Sequence, residues 1–199
     1  MSRDLTLSQA ALGELNLAKK VLMVLGGSLF IALAAQVSVP MIPTPMTLQT
    51  LAILIVGFSF GSRLGAATLI AYLGEGLMGL PVFANGMNGL AFAGPTAGFL
   101  VGFVGMAWLA GFVSDRGIKG FLPLAAAGIA ISALLYIPGV AWPMSVASLF
   151  GIEAGWVGLS ADKIWAGFMA PFLIGDAVKA VLAALVVSGG WAWVAKRRG

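Results

Sequence analysis

Apolar residues in this chain run in long unbroken blocks instead of alternating with polar ones, and the interruptions between blocks are rich in proline, glycine or charge. A bilayer core needs about 20 mostly apolar residues per helix. The blocks at about 21–39, 47–61, 64–80, 95–114, 121–142 and 166–189 fit that length or come near it. The pattern predicts an all-α polytopic membrane protein, one domain over 1–199 built as a bundle of six transmembrane helices. Residues 1–20 form a lead-in on the cytoplasmic side. Within it Leu5, Leu12 and Leu15 fall on one face of a short surface helix over 5–17. Asp4 and Glu14 stand where a cleavable signal peptide would be apolar.

Composition supports the membrane reading. Of the 199 residues 60% are hydrophobic and 9% charged, whereas a soluble domain carries about 25% charged residues. With no cysteine and no histidine, disulfides, thiolate metal sites and most hydrolase and metalloenzyme chemistry are excluded. No cofactor, metal or nucleic acid is expected, and no G-x-x-x-x-G-K-[ST] phosphate loop occurs. The cations set an orientation. With the N-terminus inside, Arg3, Lys19, Lys20, Arg63, Arg116, Lys119, Lys196, Arg197 and Arg198 are cytoplasmic and Lys163 alone is outside. That bias requires an even number of spans and puts both termini in the cytoplasm.

Polar groups inside this apolar framework mark the chemistry. Asp176 and Lys179 stand three residues apart on one face of the sixth span. A charge at bilayer depth costs at least about 2.5–3.5 kcal/mol, so such residues face a cavity or each other. Two readings follow, a ligand site or a structural ion pair. Between spans three and four, LPVFANGMNGLAFAGPTAGF combines glycines that let a ligand approach the backbone with aromatic walls such as Phe83. There Asn85 or Asn88 offers an amide donor and a carbonyl acceptor. Between spans one and two, Pro40, Pro43 and Pro45 stiffen an extended segment suited to capping a pocket, with Gln49 just beyond. Glu75, near the outer end of span three, either hydrogen-bonds within the bundle, pairs with Lys179 or meets a ligand. Together these groups describe an outward-opening polar site with apolar walls, fit for a small amphiphilic molecule.

The run PMTLQTLAILIVGFSFGSRLGAATLIAYLGEGLMGLPVFANG, followed by GPTAGFLVGF and GDAVKA, resembles the BioY family, biotin-binding S components of energy-coupling-factor (ECF) transporters. The resemblance runs from about Ala32 to Leu185 and is weaker between about 118 and 165. It implies six membrane helices with cytoplasmic termini, and biotin held near the outer face under the first loop and against the loop after the third helix. Carried over by motif, Asp176, Lys179 and Asn85 become substrate-binding residues. Gln49, Tyr72, Phe83 and Glu75 complete the expected site. The resemblance further implies a transmembrane coupling protein and a pair of cytoplasmic ATPases as partners. Ser28, Ala32 and Ala35 form a small-residue face on the first span that would suit contact with the coupling protein or packing inside the bundle. Rival readings are a non-transporting membrane assembly protein with a structural Asp–Lys pair, and an intramembrane enzyme using Asp176 and Glu75.

Overall fold

The computed structural model describes residues 6–198, without the side chain of Arg198. Arg3, Asp4, Leu5 and the Arg198 side chain therefore lie outside the described residues. The elements are helical almost throughout: α1 (Leu7–Leu12), α2 (Leu17–Gln36), α3 (Gln49–Phe60), α4 (Ser62–Leu77), α5 (Ala97–Asp115), α6 (Phe121–Ala141), α7 (Ala147–Leu149), α8 (Ala161–Ile164) and α9 (Ala170–Arg198). One two-stranded hairpin, β1 (Ser38–Val39) with β2 (Met46–Thr47), pairs Ser38 with Thr47 and Val39 with Met46. Two π-helical turns, Trp142–Val146 and Trp165–Met169, follow α6 and precede α9.

Helix boundaries follow local chemistry. Thr6 and Gln9 exchange hydrogen bonds in a capping box that starts α1. The Asn16 side-chain Oδ1 accepts from the Lys19 backbone amide and starts α2 four residues before the apolar block does. Helix α2 stops at Gln36, where the extended Val37–Val39 and then Pro40 follow. At the other end of the chain, α9 runs through Gly189 and Gly190 into the basic tail instead of ending near residue 189. The expected surface helix is shorter than its leucine pattern suggested. In α1 the buried residues are Ser8 and Ala10, while Leu12 is exposed. Small residues are buried because α1 docks on α3 and α9, which accept them; Leu15 lies beyond the helix and is half-buried.

Four stretches, Leu17–Gln36, Ala97–Asp115, Phe121–Leu149 and Ala161–Arg197, are long and apolar enough to cross a membrane. Their outward faces carry large apolar side chains, among them Leu22, Leu29, Leu33, Ile137 and Ile174, which suits lipid contact. Helices α3 and α4 are shorter. At 1.5 Å per residue α3 extends only about 18 Å, against a hydrocarbon core of about 30 Å. Irregular backbone, the hairpin and the 83–96 segment, stands at the end of the bundle where α3 begins, and it lines a cavity there.

Opposite that end, α3 and α4 join through a single glycine. Gly61 adopts φ +82°, and a Cβ there would sit 2.4 Å from Asp115 Oδ1. Asp115 in turn accepts from the Ser62 amide at 3.0 Å. Helix α5 reaches the same turn through Gly111, where a Cβ would lie 2.2 Å from the backbone of Gly61 and Ser62. Replacing Gly111 by Ala should therefore cost about 1–3 kcal/mol in overpacking. Gly105→Ala, on the same helix with nothing within 4 Å, should not destabilise. Melting curves of the two purified variants check the contrast, and equal melting temperatures would contradict this packing.

Candidate ligand-binding site

A cavity of about 240 Å³ lies at the end of the bundle where α3 begins. That is slightly smaller than the roughly 300–1,000 Å³ of most ligand pockets, so it suits a small molecule. Four parts of the chain close it: the hairpin segment 43–47, the start of α3, the segment 83–96, and the facing turns of α5, α6 and α9.

Asp176 and Lys179 form its charged floor. Both are buried, at 8% and 7% exposure, and Lys179 Nζ lies 3.1 Å from Asp176 Oδ1. Their spacing on α9 puts them on the cavity face, but α9 does not satisfy the carboxylate alone. Tyr136 of α6 donates its hydroxyl to Asp176 Oδ2 at 2.6 Å, and Thr50 of α3 donates to Oδ1 at 3.4 Å. Tyr136 is itself held edge-on by Phe99 of α5, with ring centroids 6.0 Å apart. Three helices thus converge on one carboxylate. The Lys179 ammonium has three donors and, among the described residues, only Asp176 as partner. Two of its N–H groups are left for the cavity.

Gln49 and Asn85 also line the cavity. Gln49 is largely spent on the protein. Its Nε2 donates to the Tyr72 hydroxyl at 2.8 Å and its Oε1 accepts from Thr47 at 2.9 Å. Asn85 uses its carbonyl to accept from Ser38 Oγ at 2.7 Å, which leaves its amide donors. Phe83 supplies an apolar wall and meets Tyr72 and Phe92 edge-on, at 5.2 and 5.7 Å between centroids. Asn88 serves its own loop, accepting from the Leu90 amide. The remaining walls are mostly aromatic and aliphatic, including Phe99, Phe103, Leu135 and Phe172. The unspent hydrogen-bonding capacity is mostly donor, so the cavity fits a ligand with acceptors at its ends and an apolar middle.

Several residues expected in the site lie elsewhere. Tyr72 is fully buried one layer behind the wall, where it accepts from Gln49 and donates to the Val82 carbonyl at 2.9 Å. Glu75 does not pair with Lys179 and does not line the cavity. It points away toward α2 and accepts from the Ser28 hydroxyl. Of the two readings of the small-residue face of α2, the burial favours packing inside the bundle over contact with a coupling protein. Ser28, Ala32 and Ala35 are at most 9% exposed, because they let α2 pack closely within the bundle. Leucines 22, 25, 29 and 33 occupy the exposed side instead. Thr50 and Tyr136 were not singled out from the sequence. A threonine beside Gln49 and a lone tyrosine in the fifth apolar block were their only signals.

The chain matches the model of the BioY family over residues 4–196. It is 36% identical over 159 residues to the biotin transporter BioY of Rhizobium etli, covering 78% of this chain and 82% of that protein. Against the biotin transporter BioY of Rhodobacter capsulatus it is 37% identical over 161 residues, covering 74% and 81%. The fold matches the crystal structure at 2.1 Å of the S-component for biotin from an ECF-type ABC transporter, with a TM-score of 0.68. That match covers 88% of this chain and 93% of the other at 21% identity.

The hydrogen bonds around Asp176 order the consequences of mutation. Asp176→Ala strands a buried ammonium and the Tyr136 hydroxyl together, and breaking a buried pair in this way costs about 3–5 kcal/mol. Lys179→Met should cost less, because Tyr136 and Thr50 still hold the carboxylate. Thermal unfolding of the ligand-free variants measures the difference, and a greater loss in Lys179→Met would contradict the geometry.

Proposed function

This chain belongs to the BioY family, and from that premise we propose that it captures biotin at the outer face of the cell membrane and serves biotin uptake as the substrate-binding component of an ECF-type transporter. The observation that carries the reading is the Asp176–Lys179 pair on the floor of a small cavity with apolar walls. Biotin has matching chemistry. Its ureido ring carries two N–H donors and a carbonyl, its thiophane ring and valeryl chain are apolar, and its carboxylate is an anionic acceptor. Lys179 and Asn85 donate, the open lone pair of Asp176 Oδ2 accepts, and Phe83, Phe99 and Phe172 face the apolar middle. Gln49 and Tyr72 hold the wall in place behind these contacts.

The protein is a multi-pass cell-membrane protein. In our reading α2, α3, α4, α5, α6 and α9 all cross, with the short α3 and α4 completed by the cavity-lining segments, and both termini face the cytoplasm. The distribution of Lys and Arg described above supports that orientation. With no phosphate-binding loop in the chain, energy for uptake comes from partners. These are a transmembrane coupling protein and cytoplasmic ATPase subunits. Burial of the Ser28–Ala35 face within the bundle argues against it as their contact surface.

Biotin should bind without nucleotide and stabilise the purified protein. At about 100 times Kd the gain is about 2.7 kcal/mol, visible as a raised melting temperature in detergent. A melting curve indifferent to biotin but shifted by an unrelated vitamin such as riboflavin would overturn the assignment.

A further inference from the structure

Gln36, the last residue of α2, does not line the cavity, yet its side-chain amide is engaged at both ends. Nε2 donates to the Phe83 carbonyl at 3.1 Å and to Ala32 O of its own helix at 3.2 Å. Oε1 accepts from the Gly86 amide at 3.0 Å. The side chain therefore spans the turn 83–86 from carbonyl to amide and anchors it to a rigid helix end. Inside that turn Asn85 has φ +57°, the left-handed region that asparagine tolerates better than most residues. In this conformation Asn85 Oδ1 accepts from Ser38 Oγ, the first residue of the hairpin. The hairpin then continues through Pro43–Thr47 over the cavity. Gln36, Asn85 and Ser38 thus tie both irregular walls of the mouth to each other and to α2.

We propose that Gln36 is a positioning residue that clasps the turn 83–86 to the end of α2, leaves the Asn85 amide N–H groups for the ligand, and makes the hairpin and the turn open as one unit. The bonds from Gly86 N–H and Ser38 Oγ are exposed, those from Gln36 Nε2 are part-buried, and each is individually weak, so the clasp is reversible, as a mouth that admits and releases a ligand requires. The backbone of the turn is partly self-sufficient, since Gly86 N–H also reaches Phe83 O at 3.2 Å. Loss of Gln36 should therefore loosen the turn without unfolding it.

The test uses the full-length protein with Gln36→Met, which keeps the length of the side chain and removes its hydrogen bonds, and Gln36→Glu, which keeps only the acceptor for Gly86. In the ligand-free protein, amide hydrogen exchange should quicken in both 38–47 and 83–88 for Gln36→Met and to a smaller degree for Gln36→Glu, while α5 and α9 stay protected. Exchange that is unchanged, or faster in one segment alone, overturns the coupled clasp. The second arm rests on the biotin reading above. Gln36→Met should speed biotin dissociation by about tenfold, the loss expected for one or two hydrogen bonds. In an Asn85→Ala background the same change should add less than about twofold, because Gln36 acts through Asn85. An equal effect in both backgrounds overturns the positioning role. A wild-type protein that binds no biotin defeats the functional reading instead, and the exchange experiment still decides the clasp.

Discussion

Asp176 and Lys179 carry opposite charges on a helix that is apolar for most of its length, and the surrounding structure is arranged around meeting their cost. A buried ion pair is tolerated when further hydrogen bonds satisfy the groups that the partner leaves open. Tyr136 from α6 and Thr50 from α3 supply those bonds to the carboxylate. The ammonium is left with donors to spare. An ion pair satisfied on one side only is an inefficient way to join helices that small residues already pack. It is a suitable way to present a fixed positive group to a molecule that brings its own acceptors.

The shape of the cavity follows from helix length. Helices α3 and α4 are shorter than α2, α5, α6 and α9, and the hairpin and the 83–96 segment complete the end of the bundle beside them. Proline keeps the hairpin to two residues per strand, because Pro40, Pro43 and Pro45 cannot donate to a ladder. Irregular backbone is thereby placed where it borders a polar space, the setting in which a membrane protein can accommodate it. Its polar groups are satisfied by side chains from elsewhere in the fold: Gln36 from α2, Tyr72 from α4, which donates to Val82 O at 2.9 Å, and the Trp142 indole, which donates to Gly94 O at 2.9 Å.

Much of this was legible in the amino-acid order because lipid imposes simple rules. Apolar blocks located α2, α5 and α6 to within a few residues but missed the extension of α9 through its two glycines into the basic tail, and the i, i+3 spacing put Asp176 and Lys179 on one face of a helix. What could not be read were directions. Glu75 and Tyr72 lie three residues apart on α4, and only the packing of α2 shows that Glu75 turns toward Ser28 while Tyr72 supports the cavity wall. The Ser28, Ala32 and Ala35 spacing correctly marked a close helix contact, but spacing does not say whether the neighbour is α4 or another protein. Tyr136 and Gln36 escaped notice because their roles depend on atoms distant in sequence: Asp176 is 40 residues from one, and Phe83 is 47 from the other.

The central claim is that the cavity floored by Asp176 and Lys179 is a biotin site complete within this one chain. Equilibrium dialysis of the purified protein against radiolabelled biotin, without nucleotide or other subunits, measures it directly. Such a site saturates at one biotin per chain, and affinity falls by roughly two to four orders of magnitude in a folded Asp176→Asn, Lys179→Met double variant, since charge-assisted hydrogen bonds contribute about 1.5–3 kcal/mol each. A double variant that holds biotin within about tenfold of the wild type, on that same scale, would contradict it and leave the pair a structural one.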